Sequence, residues 1–245
     1  MKHASLFSGI GGFDLAAKWM GWQNIFQVEI DPFCIKVLKK IFPKVKRYAD
    51  IKKIIPSNYT GRIDILTGGF PCQPFSQAGS RRGKEDDRYL WPEMLRIIRI
   101  IKPTWIIAEN VSGILTIENG LVFEQVCFDL EATGYEVQPL IIPACSVNAP
   151  HKRQRIWFMA HANCDNDKYQ DRKIMAKKKD QSTKNRSENS AAGKPGRAIY
   201  DKNWLKIGTK ICRNDDGLPF KSHRLKALGN SIVPQIAYEI FKTIS

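Results

Sequence analysis

The segment Phe70–Pro74 holds Cys72 between two prolines, directly after an apolar run and two glycines. Proline fixes the backbone φ angle on each side, so a rigid turn sets the direction of the Cys72 thiol. A buried structural thiol is the commoner fate of a single cysteine. The rigid turn favours instead a thiol that faces a cleft, which is what a nucleophile requires.

A carboxylate and two arginines lie at the ends of other apolar runs. Glu109 follows the run 105–108 and precedes Asn110, and desolvation at an apolar sheet edge favours a protonated carboxyl that could share its proton with a ring nitrogen. Arg153 and Arg155 are two positions apart in an extended stretch, so we expect both on one side, binding an anion or a carbonyl oxygen. The alternatives are a capping or surface glutamate and solvated arginines.

A glycine-rich turn and two acids predict a nucleoside site. Phe7–Gly12 follows the first apolar run, and such a turn lets backbone approach a ligand at the carboxyl edge of a sheet. Glu29, at the end of the second run, could accept two ribose hydroxyls, and Asp50 could accept from an adenine amino group. The spacing Gly-x-Gly-Gly differs from the phosphate fingerprint, so no pyrophosphate is expected.

The elements that position these residues read as an α/β domain with a mostly parallel sheet, because short apolar runs alternate with helical patterns. The predicted strands are 4–7, 25–29, 63–67, 105–108, 135–142 and 156–160, with a further short strand ending before Asp50. The predicted helices are 13–20, 32–41, 91–101, 122–131 and 233–244. Apolar periodicity fails after residue 162, which predicts a catalytic domain at 1–161 plus 217–245 and a small basic module at 162–216.

Composition and charge narrow the class of protein. The 245-residue chain carries a net charge of +15, and residues 165–213 contribute fourteen basic side chains against six acidic ones, which indicates a polyanion as partner or a solvated basic segment. The absence of long apolar stretches and of a signal pattern predicts a cytoplasmic protein without a membrane span. Six scattered cysteines fit a reducing compartment. His161, Cys164 and Cys212 lack a fourth zinc ligand, so no metal is expected.

Five motifs in order along the chain resemble those of the cytosine-5 DNA methyltransferases. They are Phe7-x-Gly-x-Gly-Gly12, Pro71-Cys-Gln73, Glu109-Asn-Val111, Arg153-x-Arg155 and Gly229-Asn-Ser-Ile-Val233. The resemblance implies a Rossmann-like AdoMet methyltransferase sheet with a small, irregular target-recognition domain. It also implies that the C-terminal helix packs back onto the catalytic domain and completes the cofactor pocket.

The resemblance implies the following roles. Cys72 would attack C6 of a flipped-out cytosine, Glu109 would protonate ring N3, and Arg153 or Arg155 would bind the base O2. The implied contacts to S-adenosyl-L-methionine are Phe7, Gly9, Gly11, Glu29, Ile30, Asp50, Ile51, Leu90, Asn230 and Ile232. The implied contacts to the base and the DNA are Pro71, Gln73, Ser76, Asn110 and Arg88, the last within a closing loop at 77–88.

Two departures from the family pattern bear on function. His151 stands where many members have glutamine, and the basic module of about fifty residues is shorter than usual for the family. The leading interpretation is a monomeric enzyme that methylates duplex DNA, as in restriction-modification. A transfer-RNA cytosine methyltransferase and an inactive DNA-binding homologue are the alternatives. Against them stand the lack of a Cys-Phe-Thr element and the retention of Cys72, Glu109 and both arginines.

Overall fold

The computed structural model describes residues 1–71, 89–163 and 227–244. Within them, one sheet has the strand order β3-β2-β1-β4-β5-β7-β6. The strands are β1 (Lys2–Leu6), β2 (Gln23–Val28), β3 (Lys46–Tyr48), β4 (Ile65–Gly68), β5 (Trp105–Val111), β6 (Tyr135–Pro143) and β7 (Gln154–Ala162). The helices are α1 (Gly12–Trp19), α2 (Pro32–Ile41), α3 (Trp91–Ile101), α4 (Leu121–Ala132) and α5 (Pro234–Thr243).

The sheet is mostly parallel, as the alternating pattern predicts. Strands β1 to β5 pair in parallel, and β7 runs antiparallel to both β5 and β6. Parallel neighbours need a crossover between them, and α1, α2 and α3 lie in these crossovers. The carboxyl ends of β1, β2, β4 and β5 therefore meet at one edge of the sheet.

Two apolar clusters cover the two faces of the sheet. One joins the strands to α3 and α4, with Trp91 and Met94 fully buried. The other joins them to α1 and α5, where the Phe13 ring meets the Trp157 ring edge-on at 5.8 Å and Phe241 stacks on Trp22 at 4.7 Å. The C-terminal helix thus packs back onto the sheet, as the family resemblance implies.

The helix ends follow from local residue chemistry. Asp31 begins α2, because its carboxylate accepts hydrogen bonds from the backbone N–H groups of Phe33 and Cys34 and Pro32 occupies the first helical position. Lys102 ends α3 in the left-handed conformation, with φ of 51°. The sequence placed both helices at the bounds that the structure has.

The first strand begins and ends earlier than predicted. It ends at Leu6 because Phe7 has a φ of 53°, which is incompatible with a continuing strand. The fourth strand begins at Ile65 rather than at residue 63, and β6 and β7 each extend beyond the apolar runs. Strand β3 has only three residues and no apolar run, so pattern reasoning gave it no bounds.

The chain divides into a unit of residues 1–162 with 217–245 and a unit of residues 163–216. The predicted basic module lies almost wholly outside the described residues, and its role as a recognition domain stays a prediction. In the described part of the chain, no helix is long and apolar enough to cross a membrane.

Candidate active site

Glu109 lies near the end of β5 and is 9% exposed. Its Oε1 atom is 3.0 Å from Nε of Arg155. Arg155 lies on the neighbouring strand β7, where it pairs with Val111 of β5. Burial raises the pKa of the Glu109 carboxyl to about 7, although Arg155 and Arg153 both act to lower it. A carboxyl with this pKa exchanges a proton near neutral pH, as the sequence predicts for Glu109.

The chain leading to Cys72 passes directly beside this carboxyl. A Cβ atom added to Gly69 would lie 3.5 Å from Oε2 of Glu109. Asn110, 3% exposed, donates from Nδ2 to the Phe70 carbonyl oxygen at 3.0 Å and so holds the backbone one residue before Pro71. Cys72, Gln73, Ser76 and Arg88 lie outside the described residues, and their predicted roles stay predictions.

The two arginines make different contacts, although both lie close enough to Glu109 to lower the pKa of its carboxyl. Arg153 precedes β7 and has a φ of 31°, so the alternation of a strand does not apply to it. Its Nη2 atom donates to the Ser231 carbonyl oxygen at 2.8 Å, whereas Arg155 pairs with Glu109. One arginine therefore contacts the acid, and the other holds the segment that precedes α5.

The glycine-rich turn and Glu29 form one hydrogen-bonded unit. The Gly9 N–H donates to Oε2 of Glu29 at 2.6 Å, and the Asp31 N–H donates to Oε1 at 2.8 Å. Burial raises the pKa of Glu29, and the bonds from Asp31 and Gly9 oppose that change. Each carboxylate oxygen has a second lone pair, so Glu29 keeps the capacity to accept hydroxyl groups.

Gly9 marks open space at the turn. A Cβ atom added there would have no atom within 4 Å, and the residue has a φ of 56°, so glycine is favoured by conformation and not by crowding. The neighbouring Ile30 side chain is 74% exposed. An open turn beside an exposed apolar side chain fits the predicted contact with a nucleoside.

Three further predicted cofactor residues, Asp50, Ile51 and Leu90, lie on two separate elements. The Asp50 carboxylate accepts from the Lys52 N–H at 2.9 Å and begins a short 3-10 turn that contains Ile51, 5% exposed. Leu90 immediately precedes α3. Their role in cofactor binding, which the family resemblance implies, stays a prediction.

The segment before α5 reaches the glycine-rich turn. A Cβ atom on Gly12 would lie 2.7 Å from the Ile232 carbonyl oxygen, and one on Gly69 would lie 3.4 Å from Cδ1 of Ile232. Ile232 is therefore next to both the first turn and the approach to Cys72. Asn230, two residues earlier, is exposed. Residues distant in sequence thus meet at one place.

Sequence reasoning missed a buried polar network beneath the turn. Nδ1 of His3 is 2.6 Å from Oδ1 of Asn24, and Nε2 of His3 is 2.8 Å from Oγ1 of Thr67. Burial lowers the pKa of His3, which favours the neutral ring that such a pair of contacts needs. Thr67 is on β4, one residue before the two glycines that lead to Cys72.

A second part of this network supports the glycine-rich turn. The Ser5 hydroxyl lies 2.6 Å from the Ser8 hydroxyl and donates to Oδ2 of Asp14 at 2.9 Å. Asp14 is fully buried, and that burial raises the pKa of its carboxyl. The sequence does contain a sign of this network. His3 and Ser5 are polar residues that alternate with apolar ones in a strand that is buried on both faces.

No group of three or more His, Cys, Asp or Glu side chains that could bind a metal occurs within residues 1–71, 89–163 and 227–244. The chemistry that these residues offer is that of a proton-exchanging carboxyl, a guanidinium beside it and an open turn for a nucleoside.

The strand order and the glycine-rich turn define the fold of the AdoMet-dependent methyltransferases. A family model described as C-5 cytosine-specific DNA methylase matches residues 1–217, and the chain belongs to this family.

Curated relatives and a solved structure agree with this assignment. The chain is 38% identical over 160 residues to the type II methyltransferase M1.ScrFI of Lactococcus lactis subsp. cremoris, covering 64% of the chain and 41% of the relative. It is 32% identical over 167 residues to M.DsaV of Dactylococcopsis salina, covering 68% and 47%. A DNA modification methyltransferase encoded within an E. coli prophage superimposes with a TM-score of 0.57 at 27% identity, covering 66% of this chain and 47% of that one. The chain therefore matches less than half the length of these three proteins.

Proposed function

We propose that the chain transfers a methyl group from S-adenosyl-L-methionine to carbon 5 of a cytosine in DNA. The observation that carries the proposal is the buried Glu109 carboxyl, with a pKa of about 7, beside the backbone that leads to Cys72. Membership of the cytosine methylase family supplies the substrate class.

The proposed reaction begins at Cys72, because C5 of cytosine is a poor nucleophile. The Cys72 thiolate forms a bond to C6, and Glu109 donates a proton to N3 as electrons leave the C5=C6 bond. The cofactor supplies the methyl group that C5 accepts. Loss of the C5 proton then restores the double bond and expels the Cys72 thiolate.

The two arginines take different parts in this proposal. Arg155 contacts Glu109 through Nε, so its guanidinium is the better placed of the two to bind the base O2 and stabilise the negative charge that builds on the ring. Arg153 donates to the Ser231 carbonyl oxygen and would position the segment around Ile232 instead. These contacts favour Arg155 over Arg153 for the base O2, a choice that the sequence left open.

The residues around the first turn fit an adenosine-containing methyl donor. Glu29 would accept from the ribose hydroxyls, Asp50 would accept from the adenine amino group, and the exposed Ile30 side chain would pack on the adenine ring. The open space at Gly9 supports this fit, because backbone there can approach a ligand closely.

The proposed partner is duplex DNA, from which the target cytosine must be flipped out to reach Cys72. The basic segment 165–213 and the arginines of the 77–88 loop would contact phosphates. We propose further that the protein acts as a monomer in the cytoplasm of a prokaryotic or phage-infected cell, as the modifying partner of a restriction system or alone.

One experiment tests the activity. The protein is incubated with tritiated S-adenosyl-L-methionine and either duplex DNA or transfer RNA, with Cys72→Ser as the matched inactive variant. Label on DNA that the Cys72→Ser variant cannot incorporate is expected. Label on transfer RNA alone would overturn the choice of substrate, and label on neither would favour an inactive homologue.

A second experiment tests the covalent step. Duplex DNA with 5-fluorocytosine should form a stable adduct, because fluorine at C5 cannot leave as a proton does. Undiminished trapping by the Cys72→Ser variant would refute the role of Cys72.

A further inference from the structure

We propose that the catalytic domain carries a second surface for the phosphate backbone of duplex DNA, separate from the active-site edge. We call it the α2 lysine surface; it consists of Lys36, Lys39, Lys40, Lys44 and Lys46. The proposal rests on the proposed action on DNA, but it concerns binding and can be tested without methyl transfer.

The net positive charge of the chain comes from two segments. Residues 32–56 contain eight basic side chains and one acidic side chain, Asp50. Residues 165–213 contain fourteen basic and six acidic ones. The two segments together account for the whole net charge of +15, so basic and acidic side chains balance in the rest of the chain. The first segment belongs to the catalytic domain and surrounds α2.

The structure exposes these lysines and leaves them without acidic partners. Lys36, Lys39 and Lys40 share one face of α2, because residues three and four apart on a helix are neighbours. Lys44 and Lys46 follow, and both are exposed. Within the described ranges, no ion pair involves any of the five.

The charged side chains next to these lysines form hydrogen bonds to the backbone of the same segment. The carboxylates of Asp31 and Asp50 accept backbone N–H groups at the starts of α2 and of the following turn. Arg47 donates to the Leu38 and Phe42 carbonyl oxygens at the end of α2, so it is not part of the surface.

Structural needs account for some of the lysines but not for the set. Lys39 and Lys40 complement the helix dipole in the last turn of α2, and Lys46 protects an edge strand from pairing. Lys36 lies in the first half of the helix, and like charges at Lys36 and Lys40 repel each other. The repulsion between these lysines destabilises α2. A polyanion bound to the surface would neutralise the lysines and remove that repulsion.

The surface fits a duplex backbone better than unpaired bases. Lysine binds phosphate as a point charge. The aromatic side chains of the segment, Phe33, Phe42 and Tyr48, are buried or half-buried, so they offer no platform on which bases could stack. The expected contact is therefore with phosphates and is independent of DNA sequence.

The surface is remote from Glu109. Strand β3 is the edge strand, four positions from β5, the strand of Glu109, which corresponds to about 19 Å across the sheet. Because α2 runs back from the carboxyl edge, Lys39, Lys40, Lys44 and Lys46 lie toward the opposite edge. The surface would contact a stretch of duplex away from the flipped base.

The test compares two double variants that each remove two positive charges. Lys36→Gln/Lys40→Gln alters the surface and relieves a repulsion, so the fold is expected to be retained. Arg62→Gln/Arg99→Gln is the control, since Arg62 and Arg99 are exposed residues outside the surface. Binding to a duplex of about 30 base pairs is measured by fluorescence anisotropy without cofactor, between about 50 and 200 mM salt.

In the lysine variant, the negative slope of log K against log salt should be shallower by about 2 than in the wild-type protein. The ratio of wild-type to variant affinity should therefore fall about tenfold over that salt range. The control should keep the wild-type slope. An unchanged slope in the lysine variant, or an equal loss in the control, would overturn the proposal. So would a loss of binding to vesicles of phosphatidylserine and phosphatidylcholine with DNA binding intact. If the lysine variant shows the slope change but the wild-type protein labels no DNA, the proposed function is refuted while this surface stands.

Discussion

Nε of Arg155 lies 3.0 Å from Oε1 of Glu109, across the antiparallel pair β5 and β7. The pair joins a carboxyl whose pKa burial raises to about 7 to a guanidinium that stays charged. Glu109 can therefore change protonation near neutral pH without losing its partner. An acid held in this way can donate a proton at a fixed place, which is the property that the proposed reaction requires.

Replacing Glu109 by glutamine should lower the rate of methyl transfer by about 10²- to 10⁴-fold, because glutamine cannot donate a proton to N3. Glutamine keeps the shape of the side chain, so DNA binding should change little. Single-turnover transfer from tritiated S-adenosyl-L-methionine measures the rate. Glu136→Gln, an exposed residue on β6, is the control and should retain the wild-type rate. Full activity of Glu109→Gln would exclude Glu109 as the proton donor.

The same carboxyl should make stability depend on pH. The pKa of Glu109 is about 7 in the folded protein and 4.5 for a free side chain, so the folded state binds the extra proton between these values. Its contribution is fully present below about pH 4 and is lost as the pH rises through 7. Relative to Glu109→Gln, the wild-type protein should lose roughly 3 kcal/mol of unfolding free energy between these limits. Urea unfolding of both proteins across this range measures the difference, and parallel curves would contradict the prediction.

Local patterns predicted most of the fold. Helices α2 and α3 carry their own boundary signals, a proline at the start and buried positions at helical spacing, and both were predicted at the observed bounds. The mostly parallel sheet followed from the alternation of apolar runs and helices. Strand β3 was not delimited, because it has only three residues and they form no apolar run.

The candidate site was predictable only in part. Glu109 was identified because it ends an apolar run, and its raised pKa follows from that position. The different contacts of Arg153 and Arg155 were not predictable, because that of Arg153 depends on its backbone angle and on a carbonyl 78 residues away. The contacts of His3 likewise depend on Asn24 and Thr67, which only the folded sheet brings together.

Thr67→Val should destabilise the protein by about 1–3 kcal/mol, because it leaves the buried Nε2 atom of His3 without a partner. The substitution conserves shape, so the cost comes from the lost hydrogen bond and not from a cavity. Denaturant unfolding measures it. The double variant His3→Phe/Thr67→Val should cost less than the sum of the two single changes, since the two residues share one contact. Additive costs would show that the contact contributes nothing.

Asn110→Ala should slow covalent trapping by 5-fluorocytosine DNA by about 10- to 100-fold. Asn110 holds the Phe70 carbonyl oxygen, and without this bond the backbone before Cys72 loses its fixed position. Asn58→Ala is the control, because Asn58 is exposed in a turn away from the site. If the DNA affinity fell while the trapping rate stayed constant, Asn110 would serve binding and not the position of Cys72.

Gly12→Ala should disturb the segment that precedes α5, although helix propensity argues the other way. At the start of α1, alanine is favoured over glycine by up to about 1 kcal/mol. Its Cβ atom, however, would lie 2.7 Å from the Ile232 carbonyl oxygen and 2.8 Å from Ile232 Cβ, and overpacking of this kind costs about 1–3 kcal/mol. The contact should prevail, because it involves backbone and a branched carbon that cannot rotate away. Limited proteolysis should then cleave around residues 227–233 faster than in the wild-type protein. Gly21→Ala, which has a φ of 72° and no atom within 4 Å of the added Cβ, is the control for backbone strain alone and should leave that cleavage rate unchanged.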